Sequence, residues 1–383
     1  MHNFTAFNPT RILFGRGTIP VLDEQIPASA KVMLVYGGGS IRRNGVYEAV
    51  KTALGTREIL EFGGIEPNPD FATCSRAVEL ARAEKVDFLL SVGGGSVLDG
   101  VKFIAAAVPF EGDPWDILAA GAPIAAALPV GCVLTLPATG SEANPGSVIS
   151  RRETGDKLFF MSEHTFPRFS ILDPETTFSL PPEQTANGIA DAFVHCGEQY
   201  LTYSVNTPLQ DRQAEAVMLT LIEEAPKVLA NPQDYDARAN IMWAATNALN
   251  GVLSLGVVAD WASHMIGHEL TAAFGLDHGR TLTIVLPSLL RRQKAGKHEK
   301  LLQFARRVWG IQTPDSDAAI EEGICAMEDF FGSLGLPVRL QECGIEATAT
   351  KPIVEKFARQ GFKLGERQDI DATRIGAILD GAA

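Results

Sequence analysis

The run Asp87-Phe88-Leu89-Leu90-Ser91-Val92-Gly93-Gly94-Gly95-Ser96-Val97-Leu98-Asp99 decides the fold. A mostly apolar stretch of strand length meets three glycines, then a segment with apolar residues at helical spacing that runs to about Ala107. A strand that ends in glycines and turns directly into a helix is half of a βαβ unit. Because this strand is apolar on both faces, it is predicted to lie inside a parallel sheet covered by helices on both sides.

The same grammar extends outward. Lys31 to Tyr36 is predicted as a strand, followed by Gly37-Gly38-Gly39-Ser40 and a helix through Leu54. Glu58 to Phe62 reads as a strand and Asp70 to Glu84 as a helix, with further strands at 130–136, 146–151 and 168–172. Right-handed crossovers between such strands give a mostly parallel, doubly covered sheet. After Leu180-Pro181-Pro182, glutamate, alanine and leucine recur at helical period to the end. The expected architecture is therefore an α/β, Rossmann-like nucleotide-binding domain over residues 1–178 and an all-helical metal- and substrate-binding domain over 179–383. The break is placed in the proline-punctuated stretch 174–182.

Composition agrees with two soluble domains: 383 residues, 46% hydrophobic and 21% charged. With 33 Lys+Arg against 46 Asp+Glu the formal charge is −13, which argues against nucleic acid or an anionic membrane as the main partner. The five cysteines form no CxxC pair, so they are expected to be reduced thiols in a cytoplasmic protein. Residues Met1 to Pro9 show neither the basic nor the apolar region of an export signal. The uncharged stretch Ile117 to Ser141 is broken by Pro123, Pro129 and Pro137 and reads as a buried strand with loops, not a membrane span.

A glycine cluster between strand and helix lets the chain approach a ligand closely and aims helix N-terminal amides at an anion. One such turn could be only a tight connection. Two in one sheet point to a nucleotide at the strand carboxyl ends. Gly93-Gly94-Gly95-Ser96, with a strand before it and a helix after it, is the better diphosphate candidate. In the first turn, Val35 to Arg43 contains no acid to hold the ribose hydroxyls of NAD, while Gly37, Gly38, Gly39, Ser40 and the Arg42-Arg43 pair suit a 2′-phosphate. This favours NADP(H) over NAD. Thr135, Thr139 and Ser141 gather hydroxyls at a third strand end.

The chain has seven histidines, and four of them fall between 195 and 278. Asp191 and His195 are four apart, as are His264 and His268, so each pair shares a face if its segment is helical. His278 follows in Gly275-Leu276-Asp277-His278-Gly279. A lone aspartate or histidine of this kind is usually structural. As a set, a carboxylate and several imidazoles suit Fe(II) or Zn(II), with one of the five candidates standing behind the ligands instead of binding.

Taken together, Gly93-Gly94-Gly95-Ser96-Val97-Leu98-Asp99, the Thr135–Glu142 segment and the Asp191, His195, His264, His268, His278 set resemble the iron-containing (group III) alcohol dehydrogenases, over essentially the whole chain. Tyr36-Gly37-Gly38-Gly39-Ser40 and Trp261-Ala262-Ser263-His264 look most like the NADPH-dependent aldehyde reductase and butanol dehydrogenase branch. The resemblance implies that Asp191, His195, His264 and His278 bind one divalent metal and that His268 sits beside it in the substrate pocket. It implies that Gly94, Gly95 and Ser96 meet the diphosphate and that Asp99 lies near the nicotinamide as a positioning group. Thr135, Thr139 and Ser141 would line the cofactor cleft, and Lys157 would reach the nicotinamide end. The activity so implied is hydride transfer between NADPH and short- to medium-chain aldehydes, with the metal as Lewis acid, in a homodimer for which Phe4 to Phe14 is a candidate edge strand. The rival readings are an NAD-dependent polyol dehydrogenase, a dehydroquinate-synthase-like lyase, and a non-enzymatic metal or nucleotide sensor.

Overall fold

A computed structural model describes residues 1–383. In chain order, the first part comprises β1 (Arg11–Phe14), α1 (Leu22–Gln25), β2 (Lys31–Tyr36), α2 (Val46–Leu54), β3 (Glu58–Phe62), α3 (Phe71–Ala83), β4 (Phe88–Gly94), α4 (Gly95–Ala107), α5 (Asp116–Ala119), β5 (Val130–Leu136), β6 (Gly146–Arg151), β7 (Asp156–Met161) and β8 (Phe169–Leu172). Six strands form one sheet in the order β1-β8-β5-β4-β2-β3, and every pairing in it is parallel.

Alternation along β2 shows why the sheet is covered on both sides. Met33 and Val35 join one buried cluster with residues of α3 and α4, while Val32 and Leu34 join another with Leu22 of α1 and Val46 and Val50 of α2. The central strand β4 is buried from Phe88 through Gly93. Asp70 caps α3 by accepting from the Ala72 amide at 3.0 Å, which starts that helix where the sequence predicts it.

Strand order reverses between β2 and β4, because the chain adds β3 on one side of β2 and returns to place β4 on the other. The crevice at the carboxyl ends of strands at such a reversal is the general ligand position of open α/β sheets. Both glycine turns sit there, one after Tyr36 and one at the end of β4.

Two local expectations change. The helix after Gly39 is not continuous: a 3-10 turn covers Ser40–Arg42, and Gly45, at φ 83°, breaks the path before α2 begins. The strand at 146–151 leaves the main sheet and pairs antiparallel with β7, a strand the sequence pattern does not reveal.

The remaining elements are α6 (Pro182–Tyr200), α7 (Pro208–Ala230), α8 (Tyr235–Ala248), α9 (Ala262–Phe274), α10 (His278–Arg292), α11 (Lys294–Arg307), α12 (Ser316–Ser333), α13 (Lys351–Gln360) and α14 (Ala372–Gly381), with short 3-10 turns between some of them. Two compact units result. One holds Phe7–Leu180 and Pro232–Thr246; the other holds Met1–Ala6, Pro181–Asn231 and Asn247–Ala383. Most of α8 thus belongs with the sheet, and the first six residues with the helices, where the His2 amide donates to the Gly256 carbonyl at 2.9 Å. In the helical unit every residue of α6 from Thr185 to Tyr200 is buried, with α7 and α10 packed against it and α9 against α10. No helix is long and apolar enough to cross a membrane.

Candidate active site

Asp191 and His195 are polar groups on a buried helix, α6, and α9 and α10 bring His264 and His278 towards them. A Cβ on Gly279 would lie 2.7 Å from the Asn187 carbonyl oxygen, so only glycine lets the start of α10 lie directly on α6. A Cβ on Gly267 would lie 2.7 Å from Thr281 Oγ1, which draws α9 onto α10 in the same way. These two glycines, Gly267 three residues after His264 and Gly279 directly after His278, belong to no motif of their own. Their signal was their position inside His264-Met265-Ile266-Gly267-His268 and beside His278.

The result is a convergent set. Asp191 Oδ1 lies 3.5 Å from His195 Nε2, 3.6 Å from His264 Nε2 and 3.7 Å from His278 Nε2. These separations are too long for hydrogen bonds. They match the edge of a tetrahedron whose ligand atoms stand about 2.0–2.2 Å from a central ion, which is about 3.3–3.6 Å. Asp191 Oδ1 and His264 Nε2 are buried and no hydrogen-bond partner reaches them. Asp191, His195 and His264 form a fully buried trio; His278 is the most exposed, at 23% of its side chain. His268 stands beside them, its ring centroid 5.1 Å from that of His278 and 6.4 Å from that of His264. The donor set and the orphaned buried atoms fit one divalent cation of the borderline class.

Electrostatics agree. Burial opposes the charge on Asp191, but the His195, His278 and His264 imidazoles outweigh it and hold the carboxyl far below its usual range. Burial likewise opposes charge on His264, yet the Glu198 and Asp191 carboxylates lift it to about 9.

Residues 9–174 match the model described as iron-containing alcohol dehydrogenase, and residues 185–383 the one described as Fe-containing alcohol dehydrogenase family, C-terminal. The chain belongs to the iron-containing alcohol dehydrogenase family. It is an oxidoreductase of the alcohol and aldehyde class. It is 54% identical over 374 residues, 97% of each chain, to the NADPH-dependent aldehyde reductase YqhD of Escherichia coli K12. A crystal structure of that protein superposes with a TM-score of 0.99, covering 100% of this chain and 99% of the other at 52% identity. It is 44% identical over 99% of each chain to NADP-dependent alcohol dehydrogenase 3 of Entamoeba histolytica. NADH-dependent butanol dehydrogenase A of Thermotoga maritima superposes with a TM-score of 0.95 at 37% identity, covering 100% and 99%.

In this family member the sheet unit places the expected cofactor residues at three neighbouring strand ends. Gly38 and Ser40 are exposed, and a Cβ on Gly38 or Gly39 would meet nothing within 4 Å. Gly95 is packed under Thr139, whose Oγ1 accepts from the Ser141 amide at 3.2 Å. Thr135 is buried near the end of β5. Ser96 Oγ accepts from the Asn68 amide at 3.3 Å, and Lys157 Nζ donates to Asn68 Oδ1 at 2.9 Å, so Asn68 ties these two residues together. Asp99 spends one oxygen on the Ser141 hydroxyl, at 2.7 Å, and the other on the Val148 amide, at 3.0 Å. That engagement makes it a strut for the 139–148 segment.

Three charged residues went unremarked in the sequence. Lys102, fully buried on α4, sends its ammonium to Ser141 O and Oγ, Asn144 O and Oδ1 and Gly146 O, at 2.7–3.3 Å. Burial pushes it down to about 8, against the pull of Asp99 and Glu142. Glu61 at the end of β3 amends the expectation of an acid-free first turn. The Val35–Arg43 run has no acid, but the neighbouring strand supplies one beside it. That carboxylate is already taken up by Arg42 at 2.7 Å, Tyr47 at 2.6 Å and Lys51 at 3.0 Å. The third, Glu198, touches His264.

Proposed function

We propose that the chain reduces short- to medium-chain aldehydes with NADPH at a single divalent metal, iron or zinc, held by Asp191, His195, His264 and His278. The carrying observation is the carboxylate oxygen set 3.5–3.7 Å from three imidazole Nε2 atoms in a buried pocket of the helical unit. When bound, the metal supplies Lewis-acid polarisation of a carbonyl oxygen, and NADPH supplies the hydride.

The protein's own residues do the rest. Asp191 brings the one negative charge that a divalent ion meets among neutral imidazoles. His268, next to His278 but outside the buried trio, is placed to pass a proton to the product alcohol. In the sheet unit, Gly94, Gly95 and Ser96 present the N-terminus of α4 to the diphosphate. Along Gly37, Gly38, Gly39 and Ser40, the open space at Gly38 and Gly39 suits the adenosine end, with Arg42 beside it for a 2′-phosphate. Asp99 acts on the cofactor through Ser141 and does not transfer protons itself. Residues 1–178 then serve as the nucleotide-binding part and 179–383 as the metal- and substrate-binding part. NADPH dependence in the 54%-identical relative supports the cofactor choice. We place the enzyme in the cytoplasm, from its cysteines without a CxxC pair, and read it as a homodimer, which β1 at the sheet edge with Phe7 and Phe14 exposed supports.

A His264→Ala variant tests this reading. It is expected to bind NADPH as the wild type does, by fluorescence titration, while turnover with butanal falls at least about a hundredfold, the scale of several kcal/mol of lost Lewis-acid stabilisation. Unchanged turnover overturns the metal assignment.

A further inference from the structure

We propose that Glu198 is a positioning residue that fixes His264 in the tautomer able to bind the metal and docks the helix carrying it. The inference rests on the reading of Asp191, His195, His264 and His278 as metal ligands.

Glu198 lies on α6 three residues after His195 and seven after Asp191, on the same face of the helix. It is 2% exposed, and its only ion-pair partner is the His264 imidazole. Oε1 accepts from the Ser263 amide at 2.6 Å, and Oε2 contacts His264 Nδ1. Its backbone carbonyl accepts from the Asp260 amide at 2.8 Å. One residue therefore grips the start of α9 at three points.

That start needs gripping. Trp261, at φ 60°, precedes α9 in the left-handed region and offers no side-chain cap. The first-turn amides are satisfied from elsewhere: Ala262 by Asp260 Oδ1 at 2.8 Å and Ser263 by Glu198. A buried carboxylate facing an imidazole nitrogen demands a proton between them, since two lone pairs would repel in a medium of low dielectric. Nδ1 therefore carries the hydrogen. Nε2 is the nitrogen left to give up its hydrogen to a cation, and it is the atom that faces Asp191 Oδ1 at 3.6 Å with no hydrogen-bond partner. Both Glu198 oxygens are committed to donors, so neither the ring nor the helix can turn without leaving a charge unmatched.

Glu198→Gln keeps the size and removes one acceptor. Its single carbonyl oxygen cannot accept from both the Ser263 amide and His264 Nδ1–H. With the oxygen on Ser263, its amide donates to a bare Nδ1, which selects the tautomer that carries its hydrogen on Nε2, the atom needed for the metal. The test is Zn(II) affinity of chelator-stripped protein, measured by competition with a chelating dye, beside the NADPH dissociation constant and the melting temperature of the metal-free form. The expected result is metal affinity about 10–100-fold weaker with NADPH binding unchanged, a pattern that a purely structural role would not give. Unchanged metal affinity overturns the inference alone; no metal binding by the wild type overturns the metal reading and the inference with it. Should the variant fail to fold, histidine-selective 15N spectra of the metal-free wild type, recorded at a pH above that at which His264 loses its charge and with His264 assigned by its absence in His264→Ala, decide the matter. An Nδ1–H tautomer at His264 supports the inference, and an Nε2–H tautomer overturns it.

Discussion

The two glycine turns are spelled alike, Gly37-Gly38-Gly39-Ser40 and Gly93-Gly94-Gly95-Ser96, yet the protein needs their glycines for opposite reasons. In the second, the chain itself fills the space: a Cβ would come within 2.5 Å of Val97 at Gly93, 2.9 Å of Leu136 at Gly94 and 2.4 Å of Thr139 at Gly95. None of these three has a positive φ. In the first, a Cβ on Gly38 or Gly39 would meet nothing, and Gly39 alone, at φ 87°, needs the left-handed conformation. One turn is close-packed so that a helix N-terminus is held against the sheet. The other is open. The same contrast runs through the charges behind them: a buried ammonium on five oxygens under the second turn, and a half-exposed Arg42–Glu61 pair beside the first.

The largest effect is expected where packing and buried charge meet. Lys102→Met keeps the length of the side chain but strips Ser141, Asn144 and Gly146 of their donor and removes the cation that acts most strongly on Asp99 and Glu142. It should cost about 3–5 kcal/mol of stability in urea unfolding. A loss under about 1 kcal/mol would show that the 139–146 segment holds itself.

Gly95→Ala should cost about 1–3 kcal/mol by overpacking against Thr139 and weaken NADPH binding as well. Gly38→Ala is its counterpart, expected to leave stability within about 0.5 kcal/mol while cofactor affinity falls. Equal stability losses in the two variants would erase the distinction between the turns.

Arg42→Ala should have the smallest effect on the fold, since exposed ion pairs contribute about 0–1 kcal/mol. Its effect should appear in the ratio of kcat/KM for NADPH over NADH. Loss of a charged hydrogen bond of about 1.5–3 kcal/mol corresponds to roughly a 10–150-fold drop in that ratio. A preserved ratio would move 2′-phosphate recognition to Ser40 or Arg43.

How far the sequence speaks follows from the same contrast. β2, β3, β4, β5 and β8 are readable because each is a short apolar run with distinct punctuation, and Asp70 announces α3 as its cap. β7 is not, because Asp156-Lys157-Leu158-Phe159-Phe160-Met161 lacks clean alternation and its partner β6 looks like one more sheet strand. Nor can local pattern tell that Pro232–Thr246, helical like its neighbours, packs with the sheet. In the site, Asp191, His195, His264 and His278 are legible because helical spacing alone pairs two of them and histidine is scarce. Glu198 could have been found, since it continues the face of Asp191 and His195. Glu61 and Lys102 could not. Their partners lie across a strand pairing and 39–44 residues along the chain, contacts that no local period encodes.

The most direct test of the account is NADPH oxidation, followed by absorbance with butanal as substrate, on chelator-stripped protein before and after addition of Fe(II) or Zn(II). The account predicts turnover that is absent without metal, restored by at least one of the two ions, and well ahead with NADPH over NADH. No turnover with either ion despite bound NADPH would contradict it and return the function to the lyase or sensor readings.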